Sequence, residues 1–108
     1  MSKTITKEYL KQKIDNNESF ALIEVLDKED YDSYHIKGAI NIPLSTIGKE
    51  AKKRFNKEDE IIVYCNDQNC QASPVAAEKL EKLGFSNVYD YEGGKKEWKN
   101  AGYPVESS

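Results

Sequence analysis

The chain has 108 residues, 38% of them hydrophobic and 32% charged, with a formal net charge of −3. That suits one small domain with a well-solvated surface, spanning residues 1–108 with its core from about 4 to 105, and excludes two independent cores. Acids interleave with the lysines, as in Lys52-Lys53-Arg54 followed by Lys57-Glu58-Asp59-Glu60, which argues against a nucleic-acid partner.

Along the chain, Thr6 is placed to cap a helix whose apolar residues Tyr9, Leu10 and Ile14 follow helical spacing, with Asn16-Asn17 as its stop. Phe20–Val25 reads as a buried strand interrupted by Glu24, and Asp27–Tyr34 as a short helix over its end. Lys37-Gly38 is a turn, Ala39–Ile42 a short strand stopped by Pro43, and Ser45–Phe55 a helix broken near Gly48. Glu60–Tyr64 is the clearest strand, its run of Ile61, Ile62 and Val63 suited to burial on both faces. A polar loop over Asn66–Ala72 follows. Ser73 and Pro74 then supply an N-cap and a first-turn proline for a helix with Val75, Ala76, Leu80 and Leu83 on its apolar face and Gly84 at its stop. Asn87–Tyr91 is another strand, Gly93-Gly94 a turn, and Lys95–Asn100 a last short helix carrying Trp98. Val105–Ser108 reads as a frayed end. Strand and helix alternate, so the fold class is α/β with a central, mainly parallel β-sheet flanked by helices on both faces.

No apolar stretch approaches the roughly 20 residues of a membrane span, and the polar segment Met1–Lys7 lacks the apolar core of a secretory leader. A cytoplasmic monomer without membrane contact is expected. Cys65, Cys70 and His35 are the only cysteines and histidine in the chain, too few for a four-ligand zinc site. No metal and no other cofactor is expected. In a reducing compartment a cysteine pair this close reads as reactive rather than structural.

The order strand, Cys65, polar loop, capped helix has a physical logic. Parallel α/β sheets bind ligands beyond the carboxyl ends of their strands, which is where Cys65 stands. A helix start offers free backbone N–H groups and a partial positive charge. Loop amides turned inward form a nest for an anion, so Asn66, Asp67, Gln68, Asn69, Cys70 and Gln71 are candidate backbone anion binders. A thiolate held there is stabilised and becomes a better nucleophile at neutral pH. From these residues alone, a small buried apolar cysteine ending a strand stands beside that reading.

Further motifs carry a family resemblance. His35-Ile-Lys-Gly-Ala-Ile-Asn-Ile-Pro43 matches an H-I-x-G-A-x-x-I-P element, and Ile62-Val-Tyr-Cys65 a strand that delivers a catalytic cysteine. Leu22–Val25 lies where a strand ends in Asp-Val-Arg. Ala76-Ala77 through Leu83-Gly84-Phe85 and Asn87-Val88 match the following helix and strand. Glu92-Gly-Gly94 with Trp98 and Ala101-Gly-Tyr-Pro104 matches a closing E-G-G-x-x-x-W-x-x-A-G-x-P pattern. Together, and in this order, these make the sequence resemble the rhodanese-like superfamily of single-domain sulfurtransferases over nearly its whole length. The resemblance implies a cysteine nucleophile at Cys65 that takes sulfane sulfur as a persulfide. Its donor would be thiosulfate, a persulfide or a polysulfide, and its acceptor cyanide, a thiol or a protein.

The chain departs from the common C-R-x-G-x-R-S loop of that superfamily. Cys65-Asn-Asp-Gln-Asn-Cys70-Gln-Ala-Ser73 is two residues longer, lacks both arginines and the glycine, and adds the negative Asp67. Weaker thiosulfate binding is expected without a guanidinium to clamp a sulfonate. The loop is read as a C-x4-C subgroup, with Cys70 as a candidate resolving thiol able to attack a persulfide on Cys65; a packed loop residue is its other reading. Leu26 and Glu24 replace the arginine and aspartate of Asp-Val-Arg, which removes the usual local ion pair. His35 is read as structural, Trp98 as core, and Tyr91 and Glu92 as shaping the cleft rim. A phosphatase or arsenate reductase is disfavoured because position 71 is glutamine and no arginine follows Arg54. A thiol-redox protein using both cysteines and a non-catalytic binding module on the same fold are the remaining alternatives.

Overall fold

The computed structural model describes residues 3–107. Met1 and Ser2, part of the segment read as lacking a leader, and Ser108 of the expected frayed end lie outside them.

The elements run β1 (Lys3–Thr4), α1 (Lys7–Asp15), β2 (Ala21–Glu24), α2 (Lys28–Ser33), β3 (His35–Ile36), β4 (Ile40–Asn41), a 3-10 turn (Leu44–Thr46), α3 (Ile47–Arg54), β5 (Ile61–Tyr64), α4 (Ala72–Lys82), β6 (Val88–Tyr91), α5 (Gly94–Asn100) and β7 (Val105–Glu106). Five strands form one sheet in the order β1-β6-β5-β2-β4, with every pairing parallel. The chain is therefore an α/β fold built on a central parallel sheet. β5 sits in the middle, as its uninterrupted aliphatic run requires, because a strand covered on both faces cannot alternate polar and apolar residues.

The two faces of β5 sort the helices. Ile61, Val63 and Cys65 point into a core with Ile47 and Ala51 of α3 and Ala76, Ala77 and Leu80 of α4. Ile62 and Tyr64 point the other way, to Leu10 of α1 and Trp98 of α5. The period-2 alternation of the strand thus puts Cys65 on the α4 side.

Several sequence expectations need correction. The helix expected over Ser45–Phe55 with a break near Gly48 is a 3-10 turn that gives way to α3 at Ile47, one residue before Gly48, which is itself buried within α3. Val105–Glu106 is not a frayed end. It pairs antiparallel with His35–Ile36, in the register His35↔Glu106 and Ile36↔Val105. Two-residue strands such as these and β1 carry too little periodicity to be read from sequence.

Ser73 is not an N-cap. α4 begins one residue earlier at Ala72, with Gln71 in the cap position and making no side-chain cap bond, which leaves the Ser73 hydroxyl free for another role. Thr6, by contrast, caps α1 as expected, its Oγ1 accepting from Tyr9 N–H at 3.2 Å.

Candidate functional site

The cysteine loop leaves the carboxyl end of β5 and runs 66–71 before α4 begins. Asp67 folds it back. Asn69 N–H donates to Asp67 Oδ1 at 3.1 Å, and Cys70 N–H donates to the Asp67 carbonyl at 3.1 Å. An aspartate that bonds amides ahead of it mimics a turn, so no glycine is needed. Among the described residues, the only non-glycine with a positive φ is Asn17, far from this loop in sequence. The fold-back brings Cys65 and Cys70 to a Cα–Cα distance of 6.3 Å, and the two are joined in a disulfide. Cys65 is buried at 1% exposure, whereas Cys70 is only half-buried. Cys70 is therefore the more exposed member of the pair.

This geometry corrects the expected anion nest in one respect. Of the candidate backbone binders Asn66, Asp67, Gln68, Asn69, Cys70 and Gln71, the amides of residues 69 and 70 are committed to Asp67. The negative side chain expected to meet an incoming donor instead organises the loop.

The loop is braced from the α5 side. Lys95 N–H donates to the Cys65 carbonyl at 3.0 Å and Lys96 N–H to the Asn66 carbonyl at 2.9 Å, so the first-turn amides of α5 hold the loop backbone rather than a ligand. Gly94 makes this approach feasible. Its φ is +74°, and a Cβ there would stand 2.5 Å from the carbonyl carbon and oxygen of Asn66, so only glycine fits.

Beneath the loop lies a buried ion pair. Lys95 Nζ donates to Glu24 Oε2 at 3.0 Å and to the carbonyls of Asp30 and Tyr34, each at 2.7 Å. Tyr64 Oη donates to Glu24 Oε1 at 2.9 Å and accepts from Ile36 N–H at 3.1 Å. Glu24 is fully buried and Lys95 is 2% exposed. Burial pushes the Glu24 carboxyl up from its ordinary pKa, and the Lys95 ammonium opposes that shift. Lys95 thus supplies the cation that Leu26 does not. Sequence reading missed it because the partners lie 71 positions apart.

On the α4 side, Ser73 Oγ stands 3.5 Å from Cys65 Sγ. Ser73 and Asp90 are both buried, at 2% and 1% exposure. In the β5–β6 register Asp90 lies opposite Val63, which puts it on the same face as Cys65. Burial raises the Asp90 carboxyl to about 6, the Ser73 hydroxyl pulls the other way, and the Glu92 charge adds to the rise. Its Oδ1 has no hydrogen-bond partner among the described residues.

His35 is structural. Its Nδ1 lies 2.8 Å from the Tyr31 carbonyl and its ring stacks on Tyr31 at 3.7 Å. Trp98 is core, with Nε1 donating to the Pro104 carbonyl at 2.8 Å. Tyr91 and Glu92 share a shallow cleft with Gln68 of the loop, although the Tyr91 side chain itself is buried and donates to Glu97 Oε1 at 2.7 Å.

Comparison with known proteins gives this site a context. The family model described as Rhodanese-like domain matches residues 6–101. The chain is 35% identical over 94 residues to the putative sulfur carrier protein YrkF of Bacillus subtilis, covering 87% of this chain and 49% of that protein. It is 39% identical over 78 residues to the thiosulfate sulfurtransferase PspE of Escherichia coli, covering 68% of this chain and 69% of that one. Against YrkF and a second B. subtilis protein, YqhL, the chain spans only 49% and 59% of the relative's length. Among solved structures, the BH2092 protein of Bacillus halodurans superposes with a TM-score of 0.90 at 34% identity, covering 98% of this chain and 77% of that one. A thiosulfate sulfurtransferase from Pseudomonas aeruginosa gives 0.87 at 28% identity, covering 98% of this chain and 20% of that one.

Proposed function

Because the chain belongs to the rhodanese-like domain family, we propose that it is a sulfurtransferase that carries sulfane sulfur as a persulfide on Cys65. The observation that carries this reading is the placement of Cys65 beyond the carboxyl end of the central parallel strand, under a folded-back loop and beside the start of α4. The thiolate attacks the outer sulfur of a donor, forming the Cys65 S–S bond and breaking the donor's sulfur–sulfur bond. Thiosulfate would leave as sulfite, and a polysulfide as the chain shortened by one sulfur. The anionic outer sulfur then passes to cyanide, a low-molecular-weight thiol or a protein acceptor. With no arginine in the loop, a persulfide or polysulfide is the favoured donor. The sulfur carrier and sulfurtransferase relatives support a carrier role of this kind.

The Cys65–Cys70 disulfide favours a second step at the same site. Cys70 thiolate attacks the inner sulfur of the Cys65 persulfide, the disulfide forms, and hydrosulfide leaves. A dithiol reductant attacking the more exposed Cys70 sulfur would restore both thiols.

Intact mass separates the readings. Reduced wild type, Cys65→Ser and Cys70→Ser proteins are incubated with thiosulfate and, separately, with polysulfide. Addition of one sulfur atom that Cys70→Ser retains and Cys65→Ser never shows is the expected result, with wild type passing on to the disulfide, two hydrogens lighter, as Cys70 resolves the persulfide. A loss of two hydrogens that needs both cysteines, with no sulfur ever added, would leave the thiol-redox reading. No change in any protein would leave the binding module.

A further inference from the structure

The loop that carries Cys70 has two arms, and they are held differently. The first is tied to the body of the fold, because the Lys95 and Lys96 amides donate to the carbonyls of Cys65 and Asn66 at 3.0 and 2.9 Å. The second, residues 68–70, takes its described hydrogen bonds from Asp67. Asn69 N–H donates to Asp67 Oδ1 and Cys70 N–H to the Asp67 carbonyl, each at 3.1 Å. The other carboxylate oxygen, Oδ2, lies 3.4 Å from Asn66 Nδ2 on the first arm, so this one side chain spans the fold-back. Packing does little to set the path of the loop. Cys70 rests against the core, while Asn66, Gln68, Asn69 and Gln71 are exposed.

We propose that Asp67 is the positioning residue for the resolving thiol, and that its carboxylate sets how long a persulfide survives on Cys65. This rests on the reading of Cys65 as the sulfur bearer and Cys70 as the thiol that resolves it. In the step concerned, the Cys65 persulfide anion and the Cys70 thiol become the Cys65–Cys70 disulfide and hydrosulfide. The Cys70 sulfur bonds to the inner sulfur, and the bond between inner and outer sulfur breaks with its electron pair on the outer one. The Cys70 proton leaves on the hydrosulfide. The sulfane sulfur is reduced, and the two cysteines are oxidised.

An intramolecular attack is fast when the attacking atom is held near its target. Pinned to Asp67, the second arm keeps Cys70 at a Cα distance of 6.3 Å from Cys65, within the span of a disulfide. Without that acceptor the exposed arm samples other paths, and the outer sulfur waits on Cys65 for an external acceptor. Asp67 thereby sets the balance between releasing sulfide and handing sulfur on.

The test mixes reduced wild type, Asp67→Ala and Asp67→Asn with polysulfide, quenches with acid at intervals and reads intact mass. The quantity followed is the first-order conversion of the form one sulfur heavier into the form two hydrogens lighter. That step starts with sulfur already on Cys65, so the loading rate does not enter it. Conversion should be slower in Asp67→Ala by about tenfold or more, the scale of a hydrogen bond to a charged group. The asparagine side-chain oxygen can accept from the same Asn69 amide, so Asp67→Asn should stay within about threefold of wild type. A second measurement needs no sulfur. Equilibration with a monothiol redox buffer gives the effective concentration of one cysteine at the other, which should fall by a similar factor in Asp67→Ala. Conversion in Asp67→Ala as fast as in wild type, or in Asp67→Asn as slow as in Asp67→Ala, overturns the proposal. If the effective concentration falls in Asp67→Ala while no protein ever takes up sulfur, the positioning stands and the carrier reading fails.

Discussion

Replacing Lys95 with methionine tests the account of what holds the loop in place. Methionine keeps most of the stem volume but removes the ammonium. Glu24 is then a fully buried carboxylate with only Tyr64 Oη as donor, and the carbonyls of Asp30 and Tyr34 lose a donor at 2.7 Å. Breaking a buried pair by deleting one partner costs roughly 3–5 kcal/mol, a large share of the ~5–15 kcal/mol that holds a small domain. At ~4 °C or more per kcal/mol for a chain of this size, the melting temperature should fall by about 12 °C or more. Urea unfolding at pH 7, with the disulfide intact, measures the loss directly. The Glu24 carboxyl already has a raised proton affinity from burial, and losing Lys95 raises it further. A raised acid pKa stabilises the folded state at low pH, so the deficit should shrink on acidification. Glu24→Gln added to Lys95→Met removes the stranded charge and should recover part of the loss. A Lys95→Met deficit below about 1 kcal/mol, or a double variant no more stable than the single, would refute the view that the pair secures this side of the site.

Other outcomes follow from the same geometry. Asp90 rises from 3.8 to about 6 on folding, so in the disulfide form wild type should lose up to about 3 kcal/mol as pH climbs from 4 through 6. Asp90→Asn should not show that loss, and parallel urea curves at pH 4.5 and 7.5 for the two proteins would contradict it. Gly94→Ala sets a Cβ against the Asn66 backbone at a φ of +74°. It should cost about 1–3 kcal/mol and lower sulfur loading by intact mass; unchanged melting and loading would show that the close approach is dispensable. Free-thiol labelling of the oxidised protein under limiting dithiol should find Cys70 carrying the mixed disulfide first, since Cys65 is buried and Cys70 only half-buried; trapping on Cys65 would reverse that order.

Much of the frame was legible in the chain. Ile61-Ile62-Val63 marks a central strand because only a strand covered on both faces tolerates continuous aliphatics. Thr6 marks a helix start, and the ordered motifs from His35 to Pro104 mark the family. Cys65 and Cys70 stand out because they are the only cysteines. What sequence could not supply is contact between residues distant along the chain. Lys95 meets Glu24, Ser73 turns from its expected capping role toward Cys65, and β7 docks on β3. Each of these depends on how the sheet register and helix packing bring faces together, and no local period encodes that. The disulfide belongs to the same class. The C-x4-C spacing permits it, but it closes only because Asp67 folds the loop back on itself.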